Sequence, residues 1–203
     1  MEKNNPTYKL INKLMQKYNG NVIIDNGCDN NEFKEMYNKS IIGFEVNPKA
    51  KADVHTDGKS LPLFNKTVDL FLSNFVLEHV DDSRGYLGEM RRCLKTNGKI
   101  IISVPRPIWY LSYYISPFTY WTILTNLKGF IKRPMDYLVH GNISIKWDEK
   151  SHEKLFKESG FKVIEKIRSC NFLSLDKHYA KIFANVKMPE YLLTHVTYVL
   201  EKK

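Results

Sequence analysis

The stretch Asn21-Val22-Ile23-Ile24-Asp25-Asn26-Gly27-Cys28-Asp29-Asn30-Asn31 decides the fold. A short apolar run leaves a polar turn and ends on an acid. A glycine and small polar residues follow, then a helix-like segment from Glu32 to Tyr37. That order predicts a buried strand, a tight turn and a helix, the opening unit of an open α/β sheet. Twenty positions after Asp25, a second apolar run, Ile41-Ile42-Gly43-Phe44-Glu45, also ends on a carboxylate. An acid at the tip of a second strand is well placed to accept the hydroxyls of a ribose.

Outward from this unit, the chain alternates strands and helices. Upstream, Asn5-Pro6 has the form of a helix start, and Tyr8, Ile11, Leu14, Met15 and Tyr18 recur at helical spacing before Gly20. Downstream, Ala52 to His55 is a candidate third strand and Val68 to Leu72 a fourth, with Ser73-Asn74-Phe75 as the loop at its carboxyl end. Asp82-Ser83 caps a helix with Tyr86, Leu87, Met90 and Leu94 on its apolar face, ending at Asn97-Gly98. Lys99 to Pro105 is apolar almost throughout, as a central parallel strand should be. Beyond an aromatic stretch, Trp147-Asp148 opens a helix through Leu155 and Phe156 that stops at Ser159-Gly160. Lys162 to Ile167 and Leu192 to Leu200 read as the last strands. Alternation of this kind predicts a doubly wound, mostly parallel sheet with helices on both faces, formed by residues 1–203 as one domain.

Residues 106–142 break the rhythm. Ile108 to Leu127 is dense in Trp, Tyr and Phe, and Lys128 to Pro134 adds cations. Ser112, Ser116, Pro117 and Asn126 interrupt the run, which argues against a membrane span. It reads as a lid or a core extension inserted after the fifth strand.

Of the 203 residues, 43% are hydrophobic and 26% charged, an ordinary balance for a globular chain, with a net charge of +9. That charge favours anionic partners such as nucleic acid, a phosphorylated substrate or an acidic membrane surface, or else a solvated basic surface. Cys28, Cys93 and Cys170 form no CxxC pair and no Cys/His cluster, so neither a disulfide framework nor a metal site is expected. Free thiols and an N-terminus without a signal-peptide apolar core predict a cytoplasmic protein.

Several of these segments together resemble the class I S-adenosylmethionine-dependent methyltransferases, in particular the small type-11-like members, over roughly residues 20–167. Asp25, Gly27 and Cys28 match the family's acid-and-glycine motif, whereas Asp29 and Asn31 stand where glycines are usual. Glu45, followed by Val46, matches the acidic ribose ligand. Asp57-Gly58 with Leu61-Pro62-Leu63 resembles the segment whose acid meets the adenine amine, and Ser73 to Val80 resembles the motif after the fourth strand. Glu89, Arg92, Leu94, Lys95, Gly98 and Val104-Pro105 match the next helix and strand. The resemblance implies a Rossmann-like seven-stranded sheet in the order 3-2-1-4-5-7-6 with the seventh strand antiparallel. It also implies S-adenosylmethionine as cofactor, held by Asp25, Gly27, Cys28, Asp29, Glu45, Val46, Asp57, Gly58, Asn74 and Phe75. Each acid also has a plainer reading: Asp25 as a helix cap, Glu45 as a solvated strand end, Asp57 as a turn former.

Methyl transfer from a sulfonium is an in-line displacement that needs positioning and exclusion of water, and no metal. A hydroxyl acceptor gains from a general base, for which His140 and His79 are the candidates. The leading expectation is transfer to a small-molecule, sugar or lipid-linked hydroxyl, with residues 106–142 as lid and Lys128, Lys132 and Arg133 able to meet a phosphate or an anionic bilayer. The alternatives are an RNA or protein methyltransferase, or a non-catalytic relative whose Asp29 and Asn31 spoil the glycine loop. No Asn/Asp-Pro-Pro-aromatic motif follows the fourth strand, which argues against base-amine methylation. No GxGxxG follows the first, which argues against a dehydrogenase.

Overall fold

The computed structural model describes residues 6–37, 40–106, 148–169 and 193–203. Within them a seven-stranded sheet runs in the order β3-β2-β1-β4-β5-β7-β6. The strands are β1 (Ile23–Asn26), β2 (Ile41–Glu45), β3 (Val54–His55), β4 (Val68–Asn74), β5 (Leu94–Pro105), β6 (Phe161–Ser169) and β7 (His195–Lys202). Strands β1 to β5 are parallel, and β7 lies antiparallel between β5 and β6. The helices are α1 (Pro6–Lys17), α2 (Glu32–Tyr37), α3 (Ser83–Cys93) and α4 (Glu149–Glu158). The sheet order and the antiparallel last strand are those the resemblance implies.

The continuous apolar runs have a simple cause: successive residues of one strand feed opposite layers. On β4, Leu70 and Leu72 pack with Ile11 and Met15 of α1, while Phe71 between them packs with Leu87 and Met90 of α3. On β7, Val199 joins the α1 layer, and Tyr198 and Leu200 join the layer of α3 and α4 around Phe156. Both faces of the sheet are therefore covered.

Several strand ends differ by a few residues from the sequence reading, and two differences bear on the site. Helix α3 ends at Cys93, four residues before Asn97, because Leu94 is already extended (φ −67°, ψ 137°) and pairs with Val68. A register shift between Val68 and Leu70 absorbs the intervening residues before Lys99 resumes the ladder. Ser73 and Asn74 belong to β4 rather than to a loop, since they pair with Ile102 and Ser103 of β5.

Polar contacts then fix the ends. Asp69 accepts hydrogen bonds from the Asn21 and Val22 N–H groups at 3.1 and 3.0 Å and pairs with Lys95 at 2.7 Å, setting where β1 enters. Glu149 at the start of α4 sits among Arg106, Lys166 and Arg168 at 2.6 to 2.9 Å, tying α4 to β6 and to the end of β5. Burial opposes ionisation of Glu149, yet Arg168, Lys166 and Arg106 together hold it at about 2. Cys28 and Cys93 are free and buried, and no group of metal-ligating side chains occurs among the described residues. Among them, too, no helix is long and apolar enough to cross a membrane.

Candidate active site

The register places Asp25 of β1 beside Gly43 of β2 and Leu72 of β4, so these three strands end along one rim. Gly27 turns the chain there with φ 91°, a conformation glycine adopts without steric cost. A Cβ on it would lie 2.9 Å from Cγ1 of Val76 and closer still to Cγ2, so the loop after β1 and the loop after β4 touch at this point. The N–H groups of Gly27 and Cys28 both donate to Phe44 O, at 2.7 and 3.0 Å, and clamp the turn onto β2.

Asp29 and Asn31, the two departures from the glycine motif, have φ 46° and 59°. They keep the left-handed backbone that the loop requires, as Asp and Asn do more readily than other non-glycine residues. Asn31 Nδ2 donates to Lys51 O at 2.8 Å, and the Asp29 N–H donates to Glu45 Oε2 at 3.0 Å. Glu45 Oε1 accepts from the Val46 and Asn47 N–H groups at 2.9 and 3.0 Å. Three of the roughly four acceptor positions of this carboxylate are thus engaged in joining the loops after β1 and β2. Burial pushes the Cys28 thiol up to about 12, which removes it as a nucleophile.

Beneath the rim, the phenol of Tyr86 lies 2.9 Å from Ser73 Oγ and donates to Asn26 O at 3.0 Å, bracing the ends of β1 and β4 against α3. Five buried polar atoms along the rim have no hydrogen-bond partner: Asp25 Oδ1, Asn26 Nδ2, Asn31 Oδ1, Asn74 Oδ1 and Glu78 Oε2. All lie on β1, β4 or the loops that leave them. An unpaired buried polar atom costs about 1–3 kcal/mol, a cost that a polar ligand bound on this rim would offset. Burial, reinforced by the charges of Glu32 and Glu45, pushes Asp25 up to about 7. Burial alone pushes Glu78 to about 8.

The remaining expected residues are distributed around the same rim. Asp57 is exposed in the turn that follows β3, its Oδ1 accepting from the Lys59 N–H at 3.0 Å, and Gly58 passes close to Asn26 Nδ2 and the Tyr86 ring. Val46 is 67% exposed just beyond Glu45. Phe75 follows Asn74 with φ 57°, its N–H donating to Ser103 O at 2.9 Å. His79 is exposed at the end of a short 3-10 turn, Leu77–His79. His140 and the aromatic segment lie outside the described residues, apart from Arg106.

Sequence reasoning passed over three rim residues. Tyr86 was read only as part of an apolar helix face, although a buried phenol needs a polar partner. Glu78 enters the sequence reading only within the Ser73 to Val80 motif, with no role of its own; its neighbour Leu77 is wholly buried, so this turn faces inward. His195 opens β7, which enters the sheet at this rim because it runs antiparallel. Its ring packs edge-on against Phe75 with centroids 4.7 Å apart, and burial lowers it to about 3, so it is neutral near pH 7.

Residues 6–166 match the family model described as a methyltransferase domain. The chain belongs to that methyltransferase family. Its fold is similar to that of an S-adenosylmethionine-dependent methyltransferase from Mesorhizobium loti, at 14% identity and a TM-score of 0.64 over 96% of each chain. It is also similar to a SAM-dependent methyltransferase from Archaeoglobus fulgidus, at 15% identity and a TM-score of 0.60, over 96% of this chain and 94% of that one. The YcgJ protein of Bacillus subtilis aligns at 11% identity and a TM-score of 0.58 over 97% and 98% of the two chains. No curated protein sequence matches. S-adenosylmethionine is the cofactor of this methyltransferase, and the unpaired donors and acceptors on the rim fit a ligand rich in hydroxyl, amine and carboxylate groups.

The buried Asp25 makes a contribution to the stability of the ligand-free methyltransferase that falls as pH rises. Asp25 keeps its proton in the folded chain up to about 7, whereas an unfolded aspartate loses it near 3.8. Between those values the folded state binds the extra proton, so this contribution is greatest below the unfolded pKa and declines through the window, levelling above 7. The loss from Asp25 alone is on the order of 4 kcal/mol. Buried neutral His152 and His195 act in the opposite sense over the same window, so the comparison of variants isolates Asp25: in chemical denaturation from mildly acid to neutral pH, Asp25→Asn should gain stability relative to the wild type as pH rises. A slope that Asp25→Asn leaves unchanged would assign the effect elsewhere.

Proposed function

We propose that this methyltransferase transfers the methyl group of S-adenosylmethionine to a hydroxyl of a small-molecule, sugar or lipid-linked acceptor. The supporting observation is the cluster of unpaired buried polar atoms at the ends of β1 and β4, where the loop conformation survives Asp29 and Asn31. In this reading Glu45, beside Val46, holds the ribose, and Asp57 and Gly58 flank the adenine. The turn from Asp25 through Gly27, Cys28 and Asp29 surrounds the methionine end, and Asn74 and Phe75 form the floor. When bound, the cofactor supplies a methyl group on a sulfonium. The chain's part is to orient the acceptor and to exclude water.

Residues 1–203 act as one domain, with the aromatic segment 106–142 walling the acceptor pocket and Lys128, Lys132 and Arg133 meeting a phosphate or an anionic membrane surface. His140 takes the acceptor's proton, with His79 as the second candidate. Calorimetric titration with S-adenosylhomocysteine tests cofactor binding first. A saturable isotherm supports the reading, and no heat at about millimolar ligand would identify a chain that has lost its cofactor. Labelled methyl transfer to hydroxylated lipids and sugars, with RNA as comparison, tests the acceptor. Transfer to RNA alone would overturn it.

A further inference from the structure

The opposite rim of the sheet, where the parallel strands begin, carries a concavity of about 470 Å³. Five cations line it: Lys66 before β4, Arg91 in the last turn of α3, Lys99 on β5, and Lys202 and Lys203 at the end of β7. The single side-chain carboxylate among the lining residues, Glu201, is already divided between Lys99 at 3.1 Å and Lys162 at 2.6 Å. Among the described residues, Lys66, Arg91, Lys202 and Lys203 have no carboxylate partner.

Two of the four cations do have local acceptors. Lys202 Nζ donates to Leu94 O just past the end of α3, and Lys203 Nζ donates to Lys157 O at 3.4 Å in α4. These bonds complete helix ends, where the summed backbone dipole amounts to about half a negative charge. Half a charge at each end does not balance four full cations, and each ammonium keeps further N–H donors. The crowding is visible in Lys202, whose ammonium is lowered first by burial and then by Arg91 and Lys66.

We infer that this concavity binds a compact polyphosphate anion, such as a diphosphate or the diphosphate end of a small molecule. Its size matches small-ligand pockets of about 300–1,000 Å³ and its concave form suits a compact anion better than a flat bilayer. Among the described residues no aromatic side chain lines it, so none of them stacks on a nucleobase or tracks a single strand, and they recognise the phosphates alone. Arg91 offers a planar fork to phosphate oxygens, and the lysines offer point charges. The site lies across the sheet from the methyl-transfer rim, so cofactor binding serves as an independent control.

Inorganic pyrophosphate is the probe, titrated calorimetrically and by thermal unfolding at fixed ionic strength. Pyrophosphate should bind with a dissociation constant below about 1 mM and raise the unfolding midpoint, whereas chloride should not. Lys66→Gly with Arg91→Ala should weaken binding by at least about tenfold. Lys66 has φ 56°, so glycine there relieves backbone strain, and lost binding in a variant at least as stable cannot be attributed to misfolding. S-adenosylhomocysteine affinity should be unchanged in that variant. Adenosine diphosphate should bind no tighter than pyrophosphate if only the phosphates are read. A flat isotherm, a variant that binds equally well, or preferential retention by an RNA oligomer or by phosphatidylglycerol vesicles would overturn the inference.

Discussion

Replacing Glu45 with alanine is expected to weaken S-adenosylhomocysteine binding by roughly 2–4 kcal/mol, on the order of 30- to 1,000-fold. The effect has two parts. One is the charge-assisted hydrogen bond to a ribose hydroxyl. The other is local: alanine also removes the acceptor for the N–H groups of Asp29, Val46 and Asn47, so the loops after β1 and β2 lose their joint. Glu45→Gln separates them. An amide keeps one oxygen acceptor for the loop and loses the charge, so its loss should be smaller than that of alanine, with thermal stability near that of the wild type. Calorimetry on the three proteins measures the difference. Alanine and wild-type proteins of equal affinity would remove Glu45 from the cofactor site.

The rim was legible because its chemistry is written locally. Asp25, Gly27 and Glu45 stand at the ends of apolar runs, and a strand end followed by a tight turn determines where such side chains must go. The layers were legible for the same reason, since β4 and β5 are apolar on both faces only if both are covered. What could not be read depended on pairing across distance. Leu94 completes a helical stripe in sequence, yet it pairs with Val68 and leaves the helix. Asn74 sits among turn-forming residues, but its partner Ser103 keeps it in the sheet. His195 reaches the rim only because β7 runs antiparallel, so nothing in its own neighbourhood marks it. Glu78 shows the same limit at smaller scale: its burial follows from how Leu77 is swallowed by the core.

The contact on the rim between the loops after β1 and β4 sets the second large effect. Gly27→Ala is expected to destabilise the fold by about 2–6 kcal/mol and to abolish measurable cofactor binding. Two costs add. With φ 91° the backbone lies outside the regions open to a residue with a side chain, which costs about 1–3 kcal/mol. The new methyl group also meets both γ-carbons of Val76, and overpacking of this kind costs typically about 1–3 kcal/mol. Val76→Ala in the same chain separates the two, because it clears the space and leaves the dihedral angle unchanged. The double variant should recover only the steric share in urea denaturation, and S-adenosylhomocysteine should still bind more weakly than to wild type. Full recovery of stability by Val76→Ala would show that Gly27 is required for space alone. An unaltered single variant would mean that the loops after β1 and β4 are not in contact as the structure has them, and the rim would need another geometry.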